Sequence, residues 1–101
     1  MSYNANDEKQ VKKARADAEL AEALRLDVVR DVMKSAAGRF WIYGELFSRH
    51  IFSTTFVPGS PDISAFKEGE RNSGLRLLAD IQSAAPDQYA LMLKEAKDHQ
   101  K

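Results

Sequence analysis

Two histidines, His50 and His99, make up the chain's whole imidazole supply, and they lie too far apart in sequence for a His-based metal site. Carboxylates are more plentiful, yet their spacing does not suit acid/base chemistry. Glu68 and Glu70 stand two apart, so on a helix they diverge. Asp7 with Glu8, and Glu19 with Glu22, read as solvated helix faces. Serines are present, but nothing in the sequence brings one to a base. The absence of cysteine removes thiolate nucleophiles, disulfides and sulfur metal ligands. No HExxH, P-loop, GxSxG or EF-hand spacing occurs. The expectation is a chain that is no enzyme and carries neither cofactor nor metal.

The densest polar grouping is Phe66-Lys67-Glu68-Gly69-Glu70-Arg71-Asn72-Ser73-Gly74-Leu75. Two glycines inside a helix cost about 1 kcal/mol each relative to alanine, so a reason is needed. The structural account has Gly69 or Gly74 admitting a neighbouring helix at short range. Arg71 and Asn72 then bond to the carbonyls of a loop at residues 52–61. The functional account makes Glu70, Arg71 and Asn72 a polar recognition surface. The structural account is preferred, because mid-helix polar groups more often support a neighbouring loop.

The other concentration is aromatic. Phe40, Trp41, Tyr43, Phe47, Phe52 and Phe56 fall within one short stretch. Side chains of this size dominate cores and interfaces. Phe40, Trp41, Tyr43 and Phe47 are expected to organise the core, although aromatics beside arginine are also typical contact anchors.

The elements that must position these residues are helical. Residues 7–33 are rich in Ala, Leu, Lys, Arg and Glu with no Gly or Pro, which predicts a long helix, with residues up to about Asp7 irregular. Val11, Ala14, Ala18 and Ala21 recur at three- and four-residue steps and continue to Leu24 and Val28, a thin stripe that suits a helix–helix seam or an exposed arm. Ser35 can cap a new start beside a break at Gly38. A second helix is predicted over residues 36–51, apolar on most sides and therefore central and buried, with Gly44 admitting another helix. Residues 52–61 read as an extended connection. Ser60-Pro61-Asp62 is a helix entry with Ser60 as capping acceptor. The third helix runs to about Ala84 and buries Ile63, Phe66, Leu77, Leu78 and Ile81. A fourth starts at Pro86 and buries Tyr89, Met92, Leu93 and Ala96, before a frayed tail. The fold class is all-α, a small bundle of about four helices. Its expected division is an arm at residues 1–26, a compact domain at 27–96 and a tail at 97–101.

With 101 residues, such a domain hides only about two-thirds of its unfolded surface. Fifteen basic and fifteen acidic residues cancel. General nucleic-acid binding is disfavoured, since phosphate neutralisation needs a basic excess. The first thirteen residues are polar and lack the apolar core of a secretion signal. The most apolar stretch, residues 40–57, is interrupted by Glu45, Arg49 and His50 and is too short and charged for a transmembrane segment.

One ordered set of residues resembles a known family. It comprises Ser35-Ala36-Ala37-Gly38-Arg39-Phe40, the aromatic helix, Phe52-Ser53-Thr54-Thr55-Phe56, the glycine-containing segment 66–75, Leu78-Ala79-Asp80-Ile81-Gln82, and Pro86-Asp87-Gln88-Tyr89-Ala90-Leu91-Met92. This order is similar to a family of small tailed-bacteriophage proteins typified by one from a short-tailed Bordetella phage. The likeness covers about residues 27–93 and leaves out the arm. The pattern F-x-E-G-x-R-N-x-G-L is its most specific part. The resemblance implies a virion structural or assembly role, with portal, tail or inner capsid proteins as partners. It implies residence in the virion, or in the host cytoplasm during assembly, and carries no catalytic residues. The expected contact and structural residues are Phe40, Trp41, Tyr43, Phe47, Phe66, Gly69, Arg71, Asn72, Gly74 and Tyr89. The alternatives are an internal protein ejected with the genome, for which a strongly cationic amphipathic face is missing, and a DNA-packaging accessory using Lys9, Lys12, Lys13 and Arg15. A host-directed inhibitor is a further class.

Overall fold

The computed structural model describes residues 5–99, and within them the fold is all-α, a small helical bundle of four helices. They are α1 (Ala5–Met33), α2 (Ala36–Ser48), α3 (Pro61–Ala84) and α4 (Pro86–His99). α1 is one uninterrupted helix of 29 residues, as its composition dictates. It begins two residues before Asp7; residues 1–4 lie outside the described part.

The α1–α2 junction shows why Ser35 and Gly38 are where they are. The Ser35 hydroxyl accepts the Gly38 N–H at 3.0 Å, which satisfies one of the unpaired donors of the first turn. A Cβ on Gly38 would overlap the Val32 carbonyl oxygen of α1. Only glycine lets the chain fold back this tightly.

α2 ends at Ser48, earlier than its apolar composition predicts. Ile51 N–H bonds the Leu46 carbonyl at 3.1 Å and His50 N–H bonds the Phe47 carbonyl at 3.1 Å, with His50 at φ 62°. This is a Schellman stop with histidine in the left-handed position that glycine more commonly fills. The sequence gives little warning, because the side chains that support the stop come from α3. Ser60 occupies the cap position of α3, but its side chain makes no capping bond; its carbonyl accepts the Ser64 N–H at 3.0 Å. α4 continues through His99 without the fraying expected from position 97. Its last turns are held against α2 by the Arg39–Glu95 pair and an edge contact between Phe40 and His99 at 6.1 Å.

The core is small and aliphatic. Val29, Met33, Ile42, Leu46, Ile81, Ala84, Ala85 and Met92 are buried, and Leu26, Val32, Tyr43, Ile51, Leu77, Leu78 and Tyr89 pack around them. The molecule extends 65 × 40 × 15 Å, and a thickness of 15 Å leaves room for about two helix layers. Its radius of gyration is 18.9 Å, against about 13 Å for a compact domain of this length. Every residue from Asn6 to Arg25 is exposed, so most of α1 stands free of the other helices. The accessible surface, 7517 Å², exceeds the roughly 5,700 Å² expected of a compact chain of 11.3 kDa.

Candidate contact surface

Arg39 anchors the base of the surface. It is buried beside Ile42 and Leu46 on the inner face of α2 and donates in three directions. Its Nε reaches Glu95 Oε1 at 2.5 Å, and its Nη1 reaches the Met33 carbonyl at 2.9 Å and Gln88 Oε1 at 3.2 Å. One guanidinium therefore satisfies the open end of α1 and ties α2 to α4. Arg30 makes a parallel tie, its Nε donating to the Ala84 carbonyl at 3.1 Å. Neither arginine was singled out from sequence alone for such a role. The available signal was an arginine one residue past a capped glycine turn, within reach of a carbonyl-rich helix end.

With the aliphatic side of α2 turned inward, its aromatic side is turned out. Phe40, Trp41 and Phe47 are 69%, 59% and 61% exposed, which overturns their expected place in the core. The physical reason is spacing: Arg39, Ile42 and Leu46 recur at three and four residues and form the buried stripe, while Phe40 and Phe47 lie about 100° away on the next row. Tyr43 is half-buried between them. Its ring stacks on Phe52 at 5.1 Å and lies 6.4 Å from Phe47, so an aromatic row continues from α2 onto the loop. Gly44 sits between this row and Trp41. A Cβ there would meet nothing within 4 Å, so no helix packs on it, contrary to expectation. The glycine leaves a shallow notch in an aromatic face.

Beside the row, between α2 and α4, opens a groove of about 520 Å³. Phe40, Tyr43, Met92 and Ala96 form its apolar walls, with Arg39 and Glu95 at its polar edge. Tyr89 is half-buried against the core.

The glycine-containing part of α3 has a different duty. The Thr55 hydroxyl donates to the Glu68 carboxylate, and His50 Nε2 lies 3.0 Å from Glu70 Oε1. Arg71 Nη1 donates to the His50 carbonyl at 2.8 Å and to the Ser53 carbonyl at 3.4 Å, while Ser64 Oγ accepts the Val57 N–H at 2.8 Å. This half of α3 is a scaffold for the loop after α2, as expected for Arg71. Asn72 is exposed and makes no such bond with the loop. The two glycines divide in the same way. A Cβ on Gly74 would come within 2.9 Å of Arg49 Cβ and of Ile51, so Gly74 is where the α2 end presses on α3. Gly69 faces open space, so of the two glycines it is Gly74 that admits the neighbouring helix. Phe66 is 70% exposed and Ile63 is exposed as well, contrary to their predicted burial. They sit on the first turns of α3, which reach past the end of α2 and have no helix to cover them.

Among the described residues, no cluster of three or more His, Asp or Glu side chains could hold a metal ion. No helix there is long and apolar enough to cross a membrane. No protein-family model, curated protein or solved structure matches this chain.

Proposed function

We propose that this chain is a structural or assembly protein of a tailed-phage particle, acting by helix-mediated contact with a larger component such as the portal, the tail or the inner capsid. The observation that carries the contact mechanism is the outward aromatic face of α2, Phe40, Trp41 and Phe47, extended by Phe52 through its stack on Tyr43. Large rings left in water by a chain of this size have the character of interface anchors, which concentrate binding energy when a partner desolvates them. The adjoining groove gives a partner side chain somewhere to insert. The virion setting rests on the family resemblance of residues 27–93.

The test is quantitative detection of the chain in purified virions and procapsids from an infected culture, with Phe40→Ser/Phe47→Ser tested in parallel. The expected result is stoichiometric incorporation of the natural chain and loss of incorporation by a variant that remains folded. Absence of the natural chain from both kinds of particle removes the proposal.

A further inference from the structure

The outer side of α2 carries a projection and a recess on one face. At about 100° per residue, Ala36, Phe40, Tyr43, Gly44 and Phe47 fall within roughly 100° of the helix surface. Phe40 and Phe47 are seven residues apart and differ by only about 20°. The groove opens on this face, with Ala36, Phe40 and Tyr43 in its α2 wall and Met92 and Ala96 in its α4 wall. Phe47 stands one turn beyond Tyr43, 61% exposed and outside the groove. The face bears no charge of its own. Arg39 at its edge is buried and spends its donors on Glu95, Gln88 and the Met33 carbonyl. Glu45 lies on the far side of the helix, paired with Arg49.

From this we infer that α2 pairs antiparallel with α2 of a second copy, about a two-fold axis at the level of Tyr43, with Phe47 of each chain entering the groove of the other. An isologous interface needs a patch that complements itself. Turned end for end about Tyr43, Phe47 comes to the level of Arg39 and Phe40, the middle of the groove's α2 wall. A parallel copy would set Phe47 on Phe47 and leave both grooves empty. A two-fold axis brings like groups together, and an uncharged face accepts that without repulsion, whereas a strongly charged partner finds nothing here to pair with. Gly44 flanks the axis, and a Cβ there would meet nothing within 4 Å, so two helices can close without a side chain between them. Phe40, Phe47 and Phe52 are 69%, 61% and 39% exposed; at about 200 Å² per ring they leave about 340 Å² of each copy in water. That is about two-fifths of the roughly 800 Å² that each partner gives a stable interface, and Ala36 and the α4 wall adjoin it on the same face. Trp41 lies about 100° round the helix from Phe40 and stays outside the pair, open to a larger component. The inference rests on the reading of this face as a contact surface and names its occupant.

The test uses the full chain, which has no native cysteine. Sedimentation equilibrium of the natural chain is expected to show a concentration-dependent mass that reaches twice 11.3 kDa. Phe47→Ser changes an exposed position, so the body stays folded, as circular dichroism will show; it is expected to weaken the dimer at least about thirtyfold, the loss typical of a hot-spot ring. Trp41→Ser, equally exposed but off the face, is expected to change it by less than about threefold. The axis also brings position 44 close to its own copy. Gly44→Cys is therefore expected to oxidise to a 44–44 disulfide, and Trp41→Cys to remain unlinked. A monomeric natural chain, a dimer weakened as much by Trp41→Ser as by Phe47→Ser, or faster linking at position 41 than at 44 each overturns the inference. The two proposals fail separately: a monomer that still enters virions refutes the pairing alone, and a dimer never found in virions removes the virion setting alone.

Discussion

Gly69 and Gly74 lie five positions apart on α3, and alanine is expected to act with opposite sign at the two. Glycine in a helix interior is worth roughly 0.5–1 kcal/mol less than alanine, because it loses more backbone entropy on folding. At Gly69 an added Cβ meets nothing within 4 Å, so Gly69→Ala collects that gain in full. At Gly74 the same methyl comes within 2.9 Å of Arg49 Cβ and of Ile51 Cγ1 and Cδ1. The Ile51 atoms can rotate away, but Arg49 Cβ is fixed to the backbone that closes α2. Overpacking of this kind costs about 1–3 kcal/mol, which outweighs the propensity gain and leaves Gly74→Ala destabilised by about 1 kcal/mol. The gap between the two variants is then about 2 kcal/mol, or roughly 8–16 °C in Tm for a domain of this size. Thermal and urea denaturation followed by far-UV circular dichroism and Trp41 fluorescence reads both. A Gly74→Ala protein as stable as Gly69→Ala would refute the claim that α3 is pinned to the end of α2 at this glycine.

Other substitutions separate core from contact surface. Leu46→Ala or Met33→Ala is expected to cost 2–5 kcal/mol, roughly the range for large-to-small changes in a filled core, whereas Phe40→Ser and Phe47→Ser cost about 0.5 kcal/mol or less each in urea unfolding. Arg39→Met is expected to lose about 3 kcal/mol, since it strands Glu95 and the Met33 carbonyl together. Arg39→Lys should recover little of this, because an ammonium holds its three donors on one nitrogen and cannot span the separate positions from which Nε reaches Glu95 and Nη1 reaches the Met33 carbonyl, and the same urea titration measures both. Arg71→Met removes the donor to the His50 and Ser53 carbonyls; about 1–2 kcal/mol is expected, with faster amide exchange in residues 50–57 as the local signature. Gly38→Ala, whose methyl would collide with the Val32 backbone, should exceed the upper end of ordinary overpacking, about 3 kcal/mol, and abolish the cooperative transition.

Much of the fold was legible in the sequence because its punctuation is local. Ser35, Gly38, Pro61 and Pro86 mark helix starts through bonds or dihedrals within a few residues, and the third and fourth helices begin where those signals stand. Arg71 was legible as a support for the loop after α2, for it is the one arginine in the polar stretch 66–75 of α3. The end of α2 was not, because a Schellman stop at a histidine depends on Glu70 and Arg71, twenty and twenty-one residues further along the chain. Gly69 and Gly74 looked alike in sequence and differ only in what lies across from them.

The aromatic helix was misread for a reason that bears on what the chain does. When a helix is apolar nearly all round, periodicity names several faces and selects none. Here the selection comes from partners. Ala84 and Ala85 bring α3 and α4 close, and the space left against Ile42 and Leu46 is filled by the flexible side chains of Met33 and Met92. A phenyl ring in that seam would have to push the helices apart, and Arg39 could then no longer span from Met33 to Glu95. Small residues and one buried guanidinium therefore fix which side of α2 turns inward, and the rings are left on the other side. Had those rings been needed for folding, the seam would have been built wide enough to take them. Their retention on the outer side, beside an open glycine notch and a groove, is the physical ground for reading α2 as the face that another protein covers.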